Sequence, residues 1–184
     1  MEDLRYPIGL FAGEADVTEE KRRRWIEEIA STPDRLRAAV NGLSAAQLVI
    51  PYRPGGWTVR QVAHHLPDSH LNAYVRFKLA LTEREPTIKP YDEAAWAELA
   101  DGRAAPVEVS LTLLESLHHR WILLLRSLTP ADFARAFQHP ELGRVTLDTY
   151  LQMYAWHGRH HVAHITTLRK RRNWPVKRYG SLER

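Results

Sequence analysis

Apolar residues recur at intervals of three and four along most of the chain, which is the spacing of one buried face on an α-helix. The stretch from Thr146 to Arg171 shows this spacing most clearly. Its apolar positions are Leu147, Tyr150, Leu151, Tyr154, Ile165 and Leu168. Similar stripes lie after Thr58 and across residues 111–128. Because the alternating pattern of strands is almost absent, the sequence predicts an all-α fold with nearly no strands.

Local start and stop signals place four long helices in the chain. Threonine side chains cap helix starts, and proline is tolerated in the first helical turn. Thr58 and Gln61 together form a capping box, in which each side chain satisfies a free backbone N–H. The predicted starts are Thr18, a restart at Thr32-Pro33-Asp34, Thr58 and Thr146, and the predicted ends are Gly42 and about Thr82. The third helix covers the apolar positions of residues 111–128.

A long connection from Glu83 to Pro106 separates the second and third helices. It carries a short amphipathic segment around Glu93 to Leu99, and another short helical turn is predicted at Thr129-Pro130. A connection of this length can cross a helical bundle. The second and third helices are therefore predicted to run parallel.

Histidines are concentrated on the fourth helix, at positions 157, 160, 161 and 164. On a helical wheel, His161 lies within about 20° of the centre of the apolar stripe and His157 within about 50°, whereas His164 lies at the edge of the stripe, about 70° from its centre, and is not excluded. His160 lies about 110° away and is predicted to miss the core. Two histidines at i and i+4 can present ring nitrogens to one ion. A histidine pair of this kind is nevertheless more often a hydrogen-bonded core feature than a metal site.

A third ligand from the second helix would favour the metal site. Against the apolar stripe of that helix, His64 is predicted to be solvated, His65 lies at the margin and His70 lies somewhat inside. The pattern alone does not choose between His65 and His70. Pro67 removes a helical hydrogen bond and is predicted to kink the helix near His65. On the third helix, His118 is predicted to pack in the core or to support the site, rather than to bind the ion.

Several segments together resemble the YfiT-like metal-dependent hydrolases of the DinB/YfiT superfamily. They are Tyr6-Pro7-Ile8-Gly9, Pro51-Tyr52-Arg53, Gly55-Gly56-Trp57-Thr58-Val59-Arg60-Gln61-Val62, His64-His65-Leu66, Asp68-Ser69-His70, Trp156-His157 and His160-His161. The resemblance extends from about residue 4 to Trp174. It implies a four-helix bundle that holds one divalent metal per subunit, with zinc as the first candidate and nickel as the alternative. It places the ligands at His65, His157 and His161, and it also implies a homodimer.

Composition is consistent with one globular domain over residues 1–184, with an N-terminal extension at residues 1–17 and a flexible tail at 175–184. Hydrophobic residues make up 44% of the chain, and Trp25, Trp121 and Trp156 are predicted core residues. The absence of cysteine excludes disulfides, thiolate ligands and a thiol nucleophile. The net charge is only +4, so nucleic acid is not an expected partner. No apolar run reaches the length of a membrane span, and a cytoplasmic location is expected.

Three neutral nitrogen ligands would leave a coordination position for water, as in catalytic zinc sites. The resemblance therefore implies metal-dependent hydrolysis of a small-molecule substrate. One alternative is the transfer of a small thiol to an electrophile, and another is a metal-stabilised stress-response module without catalysis. Asp68 and His164 are the candidates for a general base. Each could equally support a ligand imidazole through its second nitrogen.

Overall fold

The computed structural model describes residues 3–175, which are mostly helical. The helices are α1 (Glu19–Ala30), α2 (Thr32–Val40), α3 (Ala45–Leu48), α4 (Val59–Thr82), α5 (Glu93–Ala97), α6 (Ala100–Ala104), α7 (Val107–Ser127), α8 (Pro130–Phe133) and α9 (Leu147–Arg171). Two short strands, β1 (Ala136–His139) and β2 (Gly143–Thr146), form an antiparallel hairpin before α9. The predicted tail at 175–184 lies outside the described residues except for Pro175.

Three of the predicted helix starts are confirmed by the side chains that cap them, and α2 begins at Thr32 as predicted but without a side-chain cap. Thr18 accepts a hydrogen bond from the Lys21 N–H at the start of α1. Thr58 and Gln61 form the expected capping box at α4. Thr146 caps α9 by accepting from the Thr149 N–H. These signals could be read from the sequence because each cap involves residues only three positions apart.

Four helical segments, with α1 and α2 forming the first, pack around a common interior. The predicted parallel arrangement of α4 and α7 is confirmed by their contacts, because His64 meets Ser110 and His70 meets His118 further along both helices. In contrast, α4 runs antiparallel to α9. Arg76 reaches Tyr150, whereas the earlier Ser69 reaches the later Tyr154.

The hairpin and α3 are features that the sequence did not predict. The strands have four residues each, which is too short for an alternating pattern to be recognised. Phe137 and Val145 face each other in the hairpin and are buried. The Leu147 N–H donates to the Arg135 carbonyl, which ties the beginning of α9 to the start of the hairpin.

The buried apolar residues form two clusters at different levels of the bundle. One contains Phe77, Trp121, Tyr150 and Leu151, and the other contains Leu36, Val62, Leu66, Leu114 and Ile165. On α4, α7 and α9 the stretch between these levels carries histidines. The bundle therefore has a polar layer between two apolar cores, and this layer contains the candidate site. Trp25 and Trp121 are buried as predicted, but Trp156 is only partly buried.

The segment of residues 3–17 forms no helix or strand and lies against α9. The Arg5 carbonyl accepts a hydrogen bond from His164, and the Glu14 N–H donates to the Gln152 side chain. Helix α4 continues through Pro67 to Thr82 without interruption. Within residues 3–175, no helix combines the length and the apolar character needed to cross a membrane.

Candidate metal centre

Three histidines from two helices converge in the polar layer. His65 comes from α4, and His157 and His161 come from adjacent turns of α9. One ring nitrogen of each lies within 4.8 Å of the other two. The ring centroids are 4.7 Å apart for His65 and His161, and 4.4 Å apart for His157 and His161. Three imidazole nitrogens at this separation are a donor set that suits a divalent transition metal such as zinc or nickel.

Neutral imidazoles are required for metal binding, and burial favours the neutral form. Burial lowers the pKa of His65 to about 4, and the nearby charges of His164 and His160 add to this effect. Burial also holds the pKa values of His157 and His161 well below the usual range of histidine. The three rings therefore keep free nitrogen lone pairs at neutral pH.

A chain of hydrogen bonds fixes which nitrogen of His157 is free. The Ile29 carbonyl can only accept, so His118 donates to it from Nδ1 over 2.8 Å. Nε2 of His118 then accepts from Nδ1 of His70 over 2.8 Å. Nε2 of His70 in turn accepts from Nδ1 of His157 over 3.2 Å. Each ring is thereby set as the Nδ1–H tautomer, and the lone pair of His157 is at Nε2.

The hydrogen-bond chain also distinguishes His65 from His70 as a candidate ligand, a choice that the sequence pattern left open. Both ring nitrogens of His70 are engaged, one by His118 and the other by His157. His70 therefore supports a candidate ligand and has no nitrogen left for an ion. Burial lowers the pKa of His118 to about 4, and its side chain is 2% exposed. The prediction that His118 packs or supports the site is confirmed.

A second group of histidines shares His161 with the first. Ring nitrogens of His160, His161 and His164 also lie within 4.8 Å of one another. His164 donates from Nε2 to the Arg5 carbonyl over 3.0 Å, which leaves its Nδ1 as an acceptor. Among residues 3–175, no protein group hydrogen-bonds to Nδ1 of any of these three rings. The second group therefore presents buried ring nitrogens without protein partners beside the first, and that of His164 is an acceptor.

The prediction that His160 would miss the core was wrong, because the side chain is only 6% exposed. Its ring stacks on Trp156 at 4.4 Å and lies 5.8 Å from the Tyr6 ring. The prediction from the helical wheel used only the apolar face of α9, which packs against the other helices. The N-terminal segment covers a different face of α9, and a helical wheel contains no information about that segment.

The prediction that His64 would be solvated was also wrong, because it is 5% exposed. Its Nε2 donates to the Ala105 carbonyl over 3.1 Å, and its Nδ1 accepts from the Ser110 hydroxyl over 2.7 Å. The crossover between α4 and α7 covers this side of α4. His64 thus fastens the crossover and is not in either histidine group.

The two candidate bases occupy different surroundings. His164 stacks on Tyr52 with ring centroids 3.9 Å apart and belongs to the second histidine group. Asp68 lies on α4 and is half-buried, and it belongs to neither group. Burial raises the pKa of Asp68 to about 6, and the charge of Asp101 adds to this effect.

A cavity of about 360 Å³ opens directly beside the histidines. It is lined by Arg5, Tyr6, Tyr52, Arg53, Gly55, Gly56, Trp57, His160, His161 and His164. His161 belongs both to this lining and to the first histidine group. A molecule in the cavity would therefore contact the candidate metal centre. Asp68 is not part of the lining.

Comparison with known proteins agrees with this architecture. The family model described as the DinB superfamily matches residues 28–165. Relatives from Bacillus mycoides strain KBAB4 and Bacillus cereus strain 03BB102 are each 58% identical over 174 residues, which is 95% of this chain and 100% of theirs. The chain belongs to the DinB superfamily. Both relatives carry the name "putative metal-dependent hydrolase".

Two solved structures that are similar to this chain are also four-helix bundles. YfiT from Bacillus subtilis superposes with a TM-score of 0.91 at 49% identity, covering 94% of this chain and 99% of YfiT. It is described as "a probable metal-dependent hydrolase with an unusual four-helix bundle topology". The four-helix bundle protein TT2238 has a TM-score of 0.56 at 20% identity, covering 79% of this chain and 98% of its own. This second likeness concerns the fold alone, and the predicted four-helix bundle is confirmed.

Replacement of His70 by leucine in this DinB-superfamily protein is expected to lower its metal affinity about 10- to 100-fold. His157 would lose the acceptor that holds its ring and its tautomer. Competition titration against a chelating dye would measure the change, and the exposed His119→Leu variant is the matched control. Long-range ¹⁵N spectra of the metal-free wild type should show His157 as the Nδ1–H tautomer. An Nε2–H tautomer of His157 would contradict the hydrogen-bond chain.

Proposed function

We propose that this chain is a metal-dependent hydrolase of a small molecule, with one divalent ion held by His65, His157 and His161. The observation that carries the proposal is the convergence of nitrogens from two buried histidines and the partly buried His157, within 4.8 Å of one another. One of the three, His161, lines the cavity. Zinc is the first candidate and nickel the second, because imidazole ligands suit both metals. The names of the relatives and of YfiT support the same activity.

The ligand set favours catalysis over a purely structural role. Structural zinc sites usually have four protein ligands, whereas catalytic sites have three and leave a position for water or substrate. When bound, a divalent ion supplies Lewis acidity, which activates water and polarises the bond to be broken. The protein orients the ligands: His157 is held by His70, and the His65 ring packs against Trp57 at 4.7 Å.

His164 is the better placed of the two candidate bases. Its Nδ1 is buried and has no protein hydrogen-bond partner within residues 3–175, and its ring lines the cavity. It is fixed by the Arg5 carbonyl on one side and by the Tyr52 ring on its face. We therefore assign His164 Nδ1 as the atom that accepts a proton from the attacking water. Asp68 shares none of these contacts and is proposed to have no part in this step.

The proposal is tested by loading the purified protein with zinc or nickel and screening small esters and amides. Turnover is expected to require the metal and to need no added thiol. His164→Gln should lower kcat about 10²- to 10⁴-fold, which is the usual contribution of a general base, while metal content stays unchanged. Asp68→Asn is the matched control and should retain kcat.

The same preparation distinguishes the other two functions. Activity that appears only after a small thiol is added would overturn hydrolysis in favour of thiol transfer. Loss of most of the helical circular dichroism on chelation, with no turnover of any substrate, would instead favour a structural metal. We expect the helical signal to survive chelation, because neither apolar core includes any of the three proposed metal ligands.

A further inference from the structure

The cavity beside the histidines carries positive charge without negative charge. Of its ten lining residues, Arg5 and Arg53 are cationic and none is aspartate or glutamate. Arg5 is exposed, and its guanidinium is already paired with Asp3 at 3.2 Å. Arg53 is half-buried, and no carboxylate within residues 3–175 lies close enough to form an ion pair with it. A partly buried cation that makes no ion pair favours the binding of an anion.

Arg53 is held in position by its neighbours. Its Nε donates to the Tyr52 hydroxyl over 3.1 Å, and its Nη1 donates to the Pro54 carbonyl over 3.0 Å. The guanidinium carbon lies 5.4 Å from the centroid of the Tyr52 ring. The same ring stacks on His164 at 3.9 Å. Tyr52 therefore contacts both Arg53 and His164, and it links the positive charge to the second histidine group.

Gly56 allows this arrangement. A Cβ atom at residue 56 would lie 2.7 Å from Cγ of Arg53 and 3.0 Å from Cε1 of Tyr52. Contacts this short would displace one of these side chains. The loop can press against the stem of Arg53 only because residue 56 has no side chain. The position of the guanidinium thus depends on the local backbone as well as on its hydrogen bonds.

We propose that the cavity recognises substrates bearing a small anionic group, a carboxylate or a phosphate, and that Arg53 is the residue that binds it. This inference rests on the proposed function, because the bond to be hydrolysed is assumed to lie at the metal centre. The anion contacts Arg53, and the reactive part of the molecule extends past Tyr52 toward His161. The substrate class is therefore a small ester or amide that carries a separate negative charge.

Two hydroxamates test the inference by direct binding to the metal-loaded protein. Acetohydroxamate chelates metals and is otherwise uncharged, whereas succinate monohydroxamate carries an additional carboxylate. Trp57 lines the cavity, so its fluorescence can report both titrations, with calorimetry as the second measurement. A charged hydrogen bond contributes about 1.5–3 kcal/mol. The wild type should therefore bind the carboxylate probe about 10- to 100-fold more tightly than the neutral one.

Arg53→Gln is expected to abolish this preference and to leave the affinity for acetohydroxamate unchanged. Gly56→Ala should reduce the preference while the net charge stays the same, which tests the position of the guanidinium. Arg23→Gln, an exposed arginine outside the cavity, is the matched control and should keep the full preference.

The outcomes separate this inference from the metal centre. Equal binding of both probes by the wild type, or an equal loss of preference in Arg23→Gln, would overturn the role of Arg53 while leaving the metal centre intact. Failure of both probes to bind the metal-loaded protein would show that the ion is not accessible from the cavity, which would refute the proposed hydrolase function and the anion site with it. Retention of the preference in Arg53→Gln would show that another group binds the anion.

Discussion

Replacement of His65 by alanine is expected to abolish stoichiometric metal binding, and His157→Ala should have the same effect. Each change removes one of only three protein ligands, so the loss should exceed the roughly 10- to 100-fold that follows removal of a supporting group. Metal content after gel filtration, measured by mass spectrometry, reports the occupancy. Full occupancy in either variant would contradict the proposed ligand set.

His160→Ala is the informative control, because the two histidine groups share His161 and differ in their other members. An ion at the first group should remain bound when His160 is replaced. An ion at the second group would be lost from His160→Ala and retained by His65→Ala. His161→Ala should lose the ion in either case and cannot distinguish the groups.

Trp121→Ala is expected to lower the free energy of unfolding by about 3–5 kcal/mol, the usual cost of removing a fully buried tryptophan. Its side chain is completely buried, and its ring lies 5.6 Å from Phe77 and 5.8 Å from both His70 and His118. The melting temperature should fall by about 6–20 °C for a chain of this size. Thermal unfolding followed by circular dichroism measures the change.

The matched control is Trp96→Ala. Trp96 is 40% exposed, so its replacement should lower the free energy of unfolding by about 1 kcal/mol or less. Trp121→Ala should also weaken metal binding below its melting temperature, since the rings of His70 and His118 pack on Trp121. An unchanged melting temperature would contradict the placement of Trp121 in the apolar core.

Sequence signals that act over a few residues predicted the fold well. The Thr58 and Gln61 capping box and the Thr146 cap fixed the starts of α4 and α9. The length of the connection after Thr82 was enough to predict that α4 and α7 run parallel. The errors arose where distant segments cover a helix. The crossover buries His64, and the N-terminal segment covers His160.

The site was predictable only in part from the same signals. Spacing on α9 selected His157 and His161, but the α4 pattern could not separate His65 from His70. That choice came from family resemblance. The physical distinction depends on His118 and on the Ile29 carbonyl, 89 residues before it in the sequence. No local pattern contains a hydrogen-bond chain of this kind, because its members come from four helices that meet only after folding.

The polar layer joins parts of the chain that are far apart in sequence, since His70 and His157 are 87 positions apart. An ion held by His65 of α4 and by His157 and His161 of α9 would act there as a removable cross-link. An unfolded chain would have to close a long loop to bring the same ligands together, and the entropy of closure opposes this. Unfolding of the bundle would then require the ligands to dissociate from the ion first, and this would lower the rate of unfolding. The supply of metal would therefore set how long each molecule survives proteolysis.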